Sequence, residues 1–165
     1  MNRLKGQVWV FGDNVDTDQI LPGYAMAEEF SGLARYAMAG SNQADFAARV
    51  QAGDIIVAGR NFGCGSSREQ APVALKAAGV GLIIAESFAR IFRRNAINIG
   101  LPVLVADLRC HVQTGDLVEA DLVQGLIRLA DREIAAQALS ANVVATIAAG
   151  GLISRVRQEL GISSN

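Results

Sequence analysis

Two short, wholly apolar runs constrain this chain more than any other feature. They are Ile55-Ile56-Val57-Ala58 and Leu82-Ile83-Ile84-Ala85, and a helical pattern lies between them. Apolar runs of this length without alternation suit strands buried on both faces, the situation of a covered parallel sheet. The stretch between the runs begins as a glycine-rich loop and continues as a helix through Leu75 to Gly79. After the second run, residues 88–97 read as another helix, on which Phe88, Ile91 and Phe92 are expected to share a face opposite Arg90, Arg93 and Arg94. Gly100 stops that helix, and Leu101-Pro102 opens a third strand over residues 103–106. Residues 54–106 therefore read β–loop–α–β–α–β, with parallel pairing and right-handed crossovers.

The flanks are less regular. Residues 5–11 alternate around Val8 and Val10 and predict a strand. Residues 12–18 gather turn formers with Asp13, Asp16 and Asp18. They form either an Asx-rich turn that caps the next element or a polar loop facing a ligand or partner. Calcium fits this loop poorly, because the spacing is not that of an EF-hand and no Glu closes it. Residues 25–40 predict one or two short helices broken at Ser31-Gly32, and residues 42–50 another helix with Asn42 as N-cap and Phe46 and Val50 on one face. Beyond residue 106, Thr114-Gly115-Asp116 marks a turn, and Leu117-Val118-Glu119 and Leu126-Ile127-Arg128 read as short strands around a hairpin loop at 121–125. The tail, residues 141–160, is helical and interrupted at Gly150-Gly151.

Composition narrows the function classes. A chain of 165 residues that is 51% hydrophobic and only 19% charged buries a real core, and residues 1–165 are expected to fold as one domain. Aromatics supply only 5%, which favours a layered α/β fold with close element packing. With a net charge of -1 and a pI of about 5.8, nucleic-acid binding has no electrostatic support. Two separated cysteines, Cys64 and Cys110, and a single histidine, His111, exclude a disulfide framework. They also leave an internal zinc or iron–sulfur site without ligands, so no metal is expected on this chain. The first residues lack a signal-peptide core, and no apolar run reaches membrane-span length, so a cytoplasmic protein with reduced thiols is expected.

Chemistry concentrates in residues 59–70, which include Gly63-Cys64-Gly65-Ser66-Ser67-Arg68. A strand, a glycine-rich loop and a helix start collect backbone N–H groups where a carboxylate or phosphate can bind. Pro72 complicates the start of that helix. Either the regular helix begins near Pro72 after an irregular lead-in over 66–70, or Ser66 or Ser67 caps directly and Glu69 or Gln70 completes a capping box. A serine hydrolase is disfavoured, since the sole histidine is in a separate segment and no Gly-x-Ser-x-Gly elbow is present. The loop is neither a Walker A nor a dinucleotide fingerprint. Anion recognition remains: Arg68 as a bidentate carboxylate ligand, with serine hydroxyls around it. A serine so placed can also act as a base through a stabilised alkoxide. The plain alternative is a well-capped helix with a surface arginine.

Three blocks carry a family resemblance: residues 12–20 (Gly12-Asp13-Asn14-Val15-Asp16-Thr17-Asp18-Gln19-Ile20), residues 59–72 and residues 84–102, with Gly150-Gly151-Leu152-Ile153 closing the pattern. In order and content they resemble the small subunits of the aconitase superfamily, and above all the short-form small subunits of the 3-isopropylmalate dehydratases. That resemblance implies an α/β fold, the three-layer β/β/α swivelling domain of the aconitase C-terminal type. It implies one half of a two-chain hydro-lyase, which isomerises a substituted malate by dehydration and rehydration. The chain would bind no cofactor itself, and a large partner subunit would carry a [4Fe–4S] cluster acting as Lewis acid, in a heterodimer or heterotetramer. Carried over by position, Ser66 matches the alkoxide base, and Ser67 and Arg68 match groups that bind a substrate carboxylate and steady that base. Thr17 and Asp18 match a loop near the active site, and Tyr24 precedes the residues that help select the substrate side chain. Family members commonly read Pro-x-Arg-Tyr-Leu there, whereas this chain reads Pro22-Gly23-Tyr24-Ala25-Met26-Ala27. Small apolar residues without a cation suit isopropylmalate or dimethylmalate better than homoaconitate or citrate. Cys64 is expected to be a small packed residue. A rival from another class is a free-standing anion-binding module of the same fold, against which the intact Ser66-Ser67-Arg68 argues.

Overall fold

A computed structural model describes residues 2–162; residue 1 and residues 163–165, the extremes of the expected domain, lie outside the described residues. Seven strands run in the order β4-β3-β2-β1-β5-β6-β7. They are β1 (Arg3–Val10), β2 (Ile55–Ala58), β3 (Leu82–Ala85), β4 (Val103–Val105), β5 (Leu117–Asp121), β6 (Leu126–Arg128) and β7 (Glu133–Ala135). The expected parallel unit is present: β2 pairs with β3 and β3 with β4, all parallel. Every residue of β2 and β3 is buried, as wholly apolar runs require.

The long first strand serves two partners. Its second half pairs parallel with β2 (Val8 with Ile55, Val10 with Val57), and its first half pairs antiparallel with β5 (Arg3 with Asp121, Gln7 with Leu117). Gly6 lies in the antiparallel half, where a Cβ would fall 2.1 Å from the carbonyl oxygen of Gly53; only glycine lets the Gly53–Asp54 backbone approach the strand there. Around β1 the sheet curls, so that Val8, Ile55, Val57, Leu82 and Ile84 face Val118, Ala120 and Ile127 of β5 and β6 in one core. The opposite faces of the same strands, through Trp9, Ile56, Ala58, Ile83 and Ala85, form a second core with the helices. The layers are thus antiparallel β, parallel β and α. Each fully buried Ile or Leu contributes about 1.5–3 kcal/mol relative to exposure.

Helices α3 (Gln70–Ala78) and α4 (Arg90–Asn98) supply Ala71, Ala74, Leu75, Phe92 and Ala96 to the second core. The other helices are α1 (Thr17–Ile20), α2 (Phe46–Arg49), α5 (Ala141–Ala148) and α6 (Leu152–Glu159). Residues 149–151 separate α5 from α6, the interruption expected at Gly150-Gly151. Among the described residues no helix is long and apolar enough to cross a membrane.

Several local expectations are corrected. Residues 25–40 form two 3₁₀ segments, Gly23–Ala27 and Phe30–Tyr36. The break falls at Glu28-Glu29 and not at Ser31-Gly32, because Glu28 is fixed outside the turns by Arg35 Nη2 at 2.8 Å and the Tyr36 hydroxyl at 3.3 Å. The helix expected over 42–50 shrinks to α2. Asn42 does not cap it; instead the Gln43 side chain donates to the Val10 carbonyl at 2.6 Å and Ser41 Oγ accepts the Gln43 N–H at 3.1 Å, which holds the lead-in in a turn. On α4 the buried stripe is Phe92 and Ala96, one turn apart, and Ile91 lies about 100° around the helix from it and is 52% exposed. Strand β7, a three-residue edge whose only partly buried side chain is Ile134, was not expected.

Candidate functional site

The site is made where the pairing of β1 and β2 continues past the sheet as two adjacent loops. Phe11 N–H donates to Val57 O at 2.8 Å, Gly59 N–H to Gly12 O at 3.1 Å, Asn14 N–H to Arg60 O at 2.8 Å and Gly63 N–H to Val15 O at 2.7 Å. Thr17 N–H to Cys64 O at 2.9 Å closes the series. Within the sheet Val8 faces Ile55, whereas beyond it Asp16 faces Cys64, so the second loop has gained one residue, as in a bulge. Gly63 accommodates the extra residue at φ 83°, over Phe92: a Cβ would sit 2.2 Å from that ring. Phe62 packs edge-on against Phe92 (centroids 5.3 Å apart) and Phe88 (6.0 Å), and fixes the loop to α4.

This shift brings Thr17 onto Ser66. The Ser66 N–H donates to Thr17 Oγ1 at 3.2 Å, and the two hydroxyl oxygens are 3.0 Å apart. Thr17 Oγ1 accepts the amide with one lone pair, and either hydroxyl can donate across the 3.0 Å contact. A hydroxyl that donates to Ser66 Oγ lowers the cost of negative charge on it and leaves the Ser66 proton facing outward. Thr17 is 2% exposed, so its rotamer is set by packing. Ser66 and Ser67 themselves are exposed.

Arg68 is half-buried and held from the first loop. Its Nη1 donates to Leu21 O at 3.0 Å and pairs with Asp18 Oδ1. Both contacts use one nitrogen, which leaves the Nε–Nη2 edge, a bidentate fork, for a second carboxylate. Asp18 holds its position through α1, which Asp16 caps by accepting the Gln19 N–H at 2.9 Å. The Asx reading of residues 12–18 therefore describes the structure, and the same loop also faces the serine–arginine triplet.

The capping expectation for the serines does not hold. Helix α3 begins at Gln70 with Glu69 at its N-cap position and no side-chain cap, and residues 66–69 are an irregular lead-in. The start lies two residues before Pro72, which sits buried in the first turn where no N–H is missed. Tyr24 stands on the 3₁₀ segment just after Leu21; it is 71% exposed and packs edge-on against Tyr36, 5.9 Å away, and not against the triplet. Cys64 is part-buried. Burial pushes its thiol up, and the Asp16 carboxylate adds to the rise, so it stays protonated at neutral pH as a small packed residue. No cluster of three or more metal-ligating side chains occurs among the described residues.

Three contributors escaped the sequence reading. Asp13 accepts the Arg60 N–H at 2.7 Å and pairs with Arg109 Nη1 at 3.2 Å, which ties both loops to the turn after β4. Leu21 acts through its carbonyl alone. Asp13 had a signal, its place in the Asp-rich turn; Arg109 and Leu21 had none.

A model of the aconitase C-terminal domain family matches residues 12–107, the span that contains both loops, the triplet and α4. The chain belongs to that family. Relatives from the same family align end to end. The chain is 52% identical to the methanogen homoaconitase small subunit of Methanothermobacter thermautotrophicus, over 98% of this chain and 96% of that one. It is 51% identical to the 3-isopropylmalate dehydratase small subunit of Halothermothrix orenii, over 94% and 96%. A crystal structure of 3-isopropylmalate dehydratase from Methanocaldococcus jannaschii superposes with a TM-score of 0.89 at 43% identity, covering 96% of this chain and 95% of that chain. The three-layer fold is therefore that of the aconitase C-terminal domain.

Proposed function

We propose that this chain is the small subunit of a two-chain hydro-lyase that isomerises a substituted malate, with 2-isopropylmalate to 3-isopropylmalate, a step of leucine biosynthesis, as the best-supported reaction. The observation that carries the reading is Ser66, backed by the buried Thr17 hydroxyl and set two residues from an arginine whose bidentate edge is free. Dehydration removes a proton from the carbon beside a carboxylate and the hydroxyl from the neighbouring carbon; rehydration returns them to the opposite carbons. Ser66 Oγ, as alkoxide, takes the proton while Thr17 donates to it. Arg68 binds a substrate carboxylate through Nε and Nη2, Asp18 and the Leu21 carbonyl fix the guanidinium, and Ser67 adds a hydroxyl donor beside it.

The chain's own residues do not fit a cluster. It has two cysteines, on separate elements, where an iron–sulfur cluster takes four ligands. A [4Fe–4S] cluster on a large partner subunit would supply Lewis acidity toward the substrate hydroxyl and carboxylate. Exposed Ser66 and Ser67 agree with a surface completed by that partner, in a heterodimer or heterotetramer. The two free thiols suit the cytoplasm.

Substrate choice rests on the segment after Leu21. Ala25 is packed into the core and faces no ligand, which leaves half-buried Met26 and exposed Ala27, both apolar, and Arg35 beside them is paired with Glu28. That favours an alkyl side chain, isopropyl or the smaller dimethylmalate. The second reading, homoaconitate, draws on the 52% relative and requires Arg35 to leave Glu28 for a third carboxylate. A turnover panel of alkyl-malates and homoaconitate on the reconstituted pair separates them. In that pair Ser66→Ala is expected to lower kcat by at least about 10²-fold, and full turnover would sink the assignment of the base. Arg68→Lys is expected to raise KM by loss of the fork; an unchanged KM contradicts its role.

A further inference from the structure

Helix α4 is built against its own electrostatics. Arg90, Arg93 and Arg94 are exposed and lie on one face, since residues three and four apart are neighbours on a helix. Arg90 with Arg94, and Arg90 with Arg93, are like-charge pairs at those spacings. The first turn has no acidic residue, and Ala89 at the N-cap position offers no side-chain acceptor. The positive end of the helix dipole is thus met by more positive charge. None of the three forms an ion pair among the described residues, while the arginines nearest the site do: Arg60 with Glu86 and Arg109 with Asp13. Phe92 and Ala96 hold the helix down from beneath, and the three exposed arginines lie away from that buried stripe.

That face is a shallow groove of about 440 Å³, lined by the three arginines with Phe88, Ile97 and Asn98. Its N-terminal end adjoins the start of the serine loop: Ala89 N–H, one residue before Arg90, donates to Phe62 O at 2.9 Å. From there it runs the nine residues of α4, about 13 Å. A partner that covers Ser66 therefore continues naturally onto it. The chain as a whole carries a net charge of only -1 and exerts little long-range pull on a partner, so local attraction has to come from an uncompensated patch such as this one.

We propose that the Arg90–Arg93–Arg94 groove is the docking surface for an acidic surface segment of the large subunit. The assignment rests on the two-chain reading above. Carboxylates seated there neutralise charges that α4 cannot neutralise itself, and arginine forks give the contact its register.

The test uses the tagged full-length chain, the iron–sulfur subunit recovered with it, and a titration of the two purified chains at low and high salt. Wild-type affinity is expected to fall severalfold to tenfold as salt rises. The R90Q/R93Q/R94Q variant is expected to bind at least about tenfold more weakly at low salt, with a flatter salt dependence, and the corresponding lysine variant to recover much of the loss. Turnover of the glutamine variant at saturating partner should match wild type, and an unchanged melting temperature shows that it folds. A glutamine variant with wild-type affinity and salt dependence overturns the docking assignment alone. A variant that keeps its partner affinity but loses wild-type retention on heparin overturns it in favour of a polyanion site. A wild-type chain that forms no pair with any iron–sulfur subunit overturns the two-chain reading and the docking assignment together.

Discussion

At the residue scale the site depends on a threonine more than on the loop's glycines or the helix start. The buried Thr17 hydroxyl accepts the Ser66 amide and faces the Ser66 hydroxyl. Thr17→Val keeps the volume and removes both bonds, leaving the Ser66 amide without its partner. In the reconstituted pair kcat is expected to drop about tenfold or more with little change in KM. A Thr17→Val enzyme with wild-type kcat would show that Ser66 needs no donor from this side. Ser66, Ser67 and Arg68 were legible because the residue types and their order carry the chemistry. The resemblance placed Thr17 and Asp18 in a loop near them, but it left open which atoms meet and the part of Leu21: Thr17 and Leu21 lie 49 and 47 residues from their partners, and the bulge between Asn61 and Gly63 sets the pairing. Of the two alternatives for the start of α3, the capping one fails at Ser66 for the same reason, since its amide and hydroxyl are engaged from outside the helix, and residues 66–69 form the irregular lead-in.

At the element scale, legibility followed burial. β2 and β3 are buried on both sides and show it as unbroken apolar runs; β7, with one inward side chain, leaves no pattern to read. The hairpin between β5 and β6 was expected from its turn residues, and one side chain organises it. Asp121 Oδ1 accepts the N–H groups of Val123 at 3.0 Å and Gln124 at 2.9 Å, and Oδ2 takes Arg3 Nε at 3.4 Å. The Gln124 N–H above all, with Arg3 and the Val123 N–H, holds the Asp121 carboxyl below the usual carboxylate range. A folded-state pKa below the unfolded one stabilises at pH values above the ordinary 3.8, and that gain is lost as the pH falls through the lowered value. Asp121→Ala is therefore expected to lower the urea midpoint at neutral pH, with the gap to wild type narrowing below pH 3.8. A gap that stays constant from neutral pH to strongly acidic conditions would show that the charge on Asp121 contributes nothing to the hairpin.

At the scale of the whole molecule, β1 joins the two halves of the sheet and also launches the first site loop. The parallel half was readable from β2 to β4, but the exchange of partners along β1 was not, because alternation around Val8 and Val10 fits either neighbour. What permits the exchange is steric. The Gly53 carbonyl lies where a Gly6 Cβ would be, and backbone on both sides leaves no side chain that can yield. Gly6→Ala must therefore push β1 away from the turn before β2 or tilt it off β5. The expected cost is about 2–3 kcal/mol in urea unfolding, and a loss of roughly 5–10 °C in Tm for a chain of this length. Gly6 lies six residues before Gly12 along the chain, about 20 Å of extended strand from the site loops. Turnover per folded molecule in the reconstituted pair should therefore survive at low temperature. An unchanged urea midpoint would mean that the sheet bends at β1 without needing the close approach at Gly6. A stable variant with impaired turnover would mean instead that strain in β1 is transmitted along the strand to Thr17.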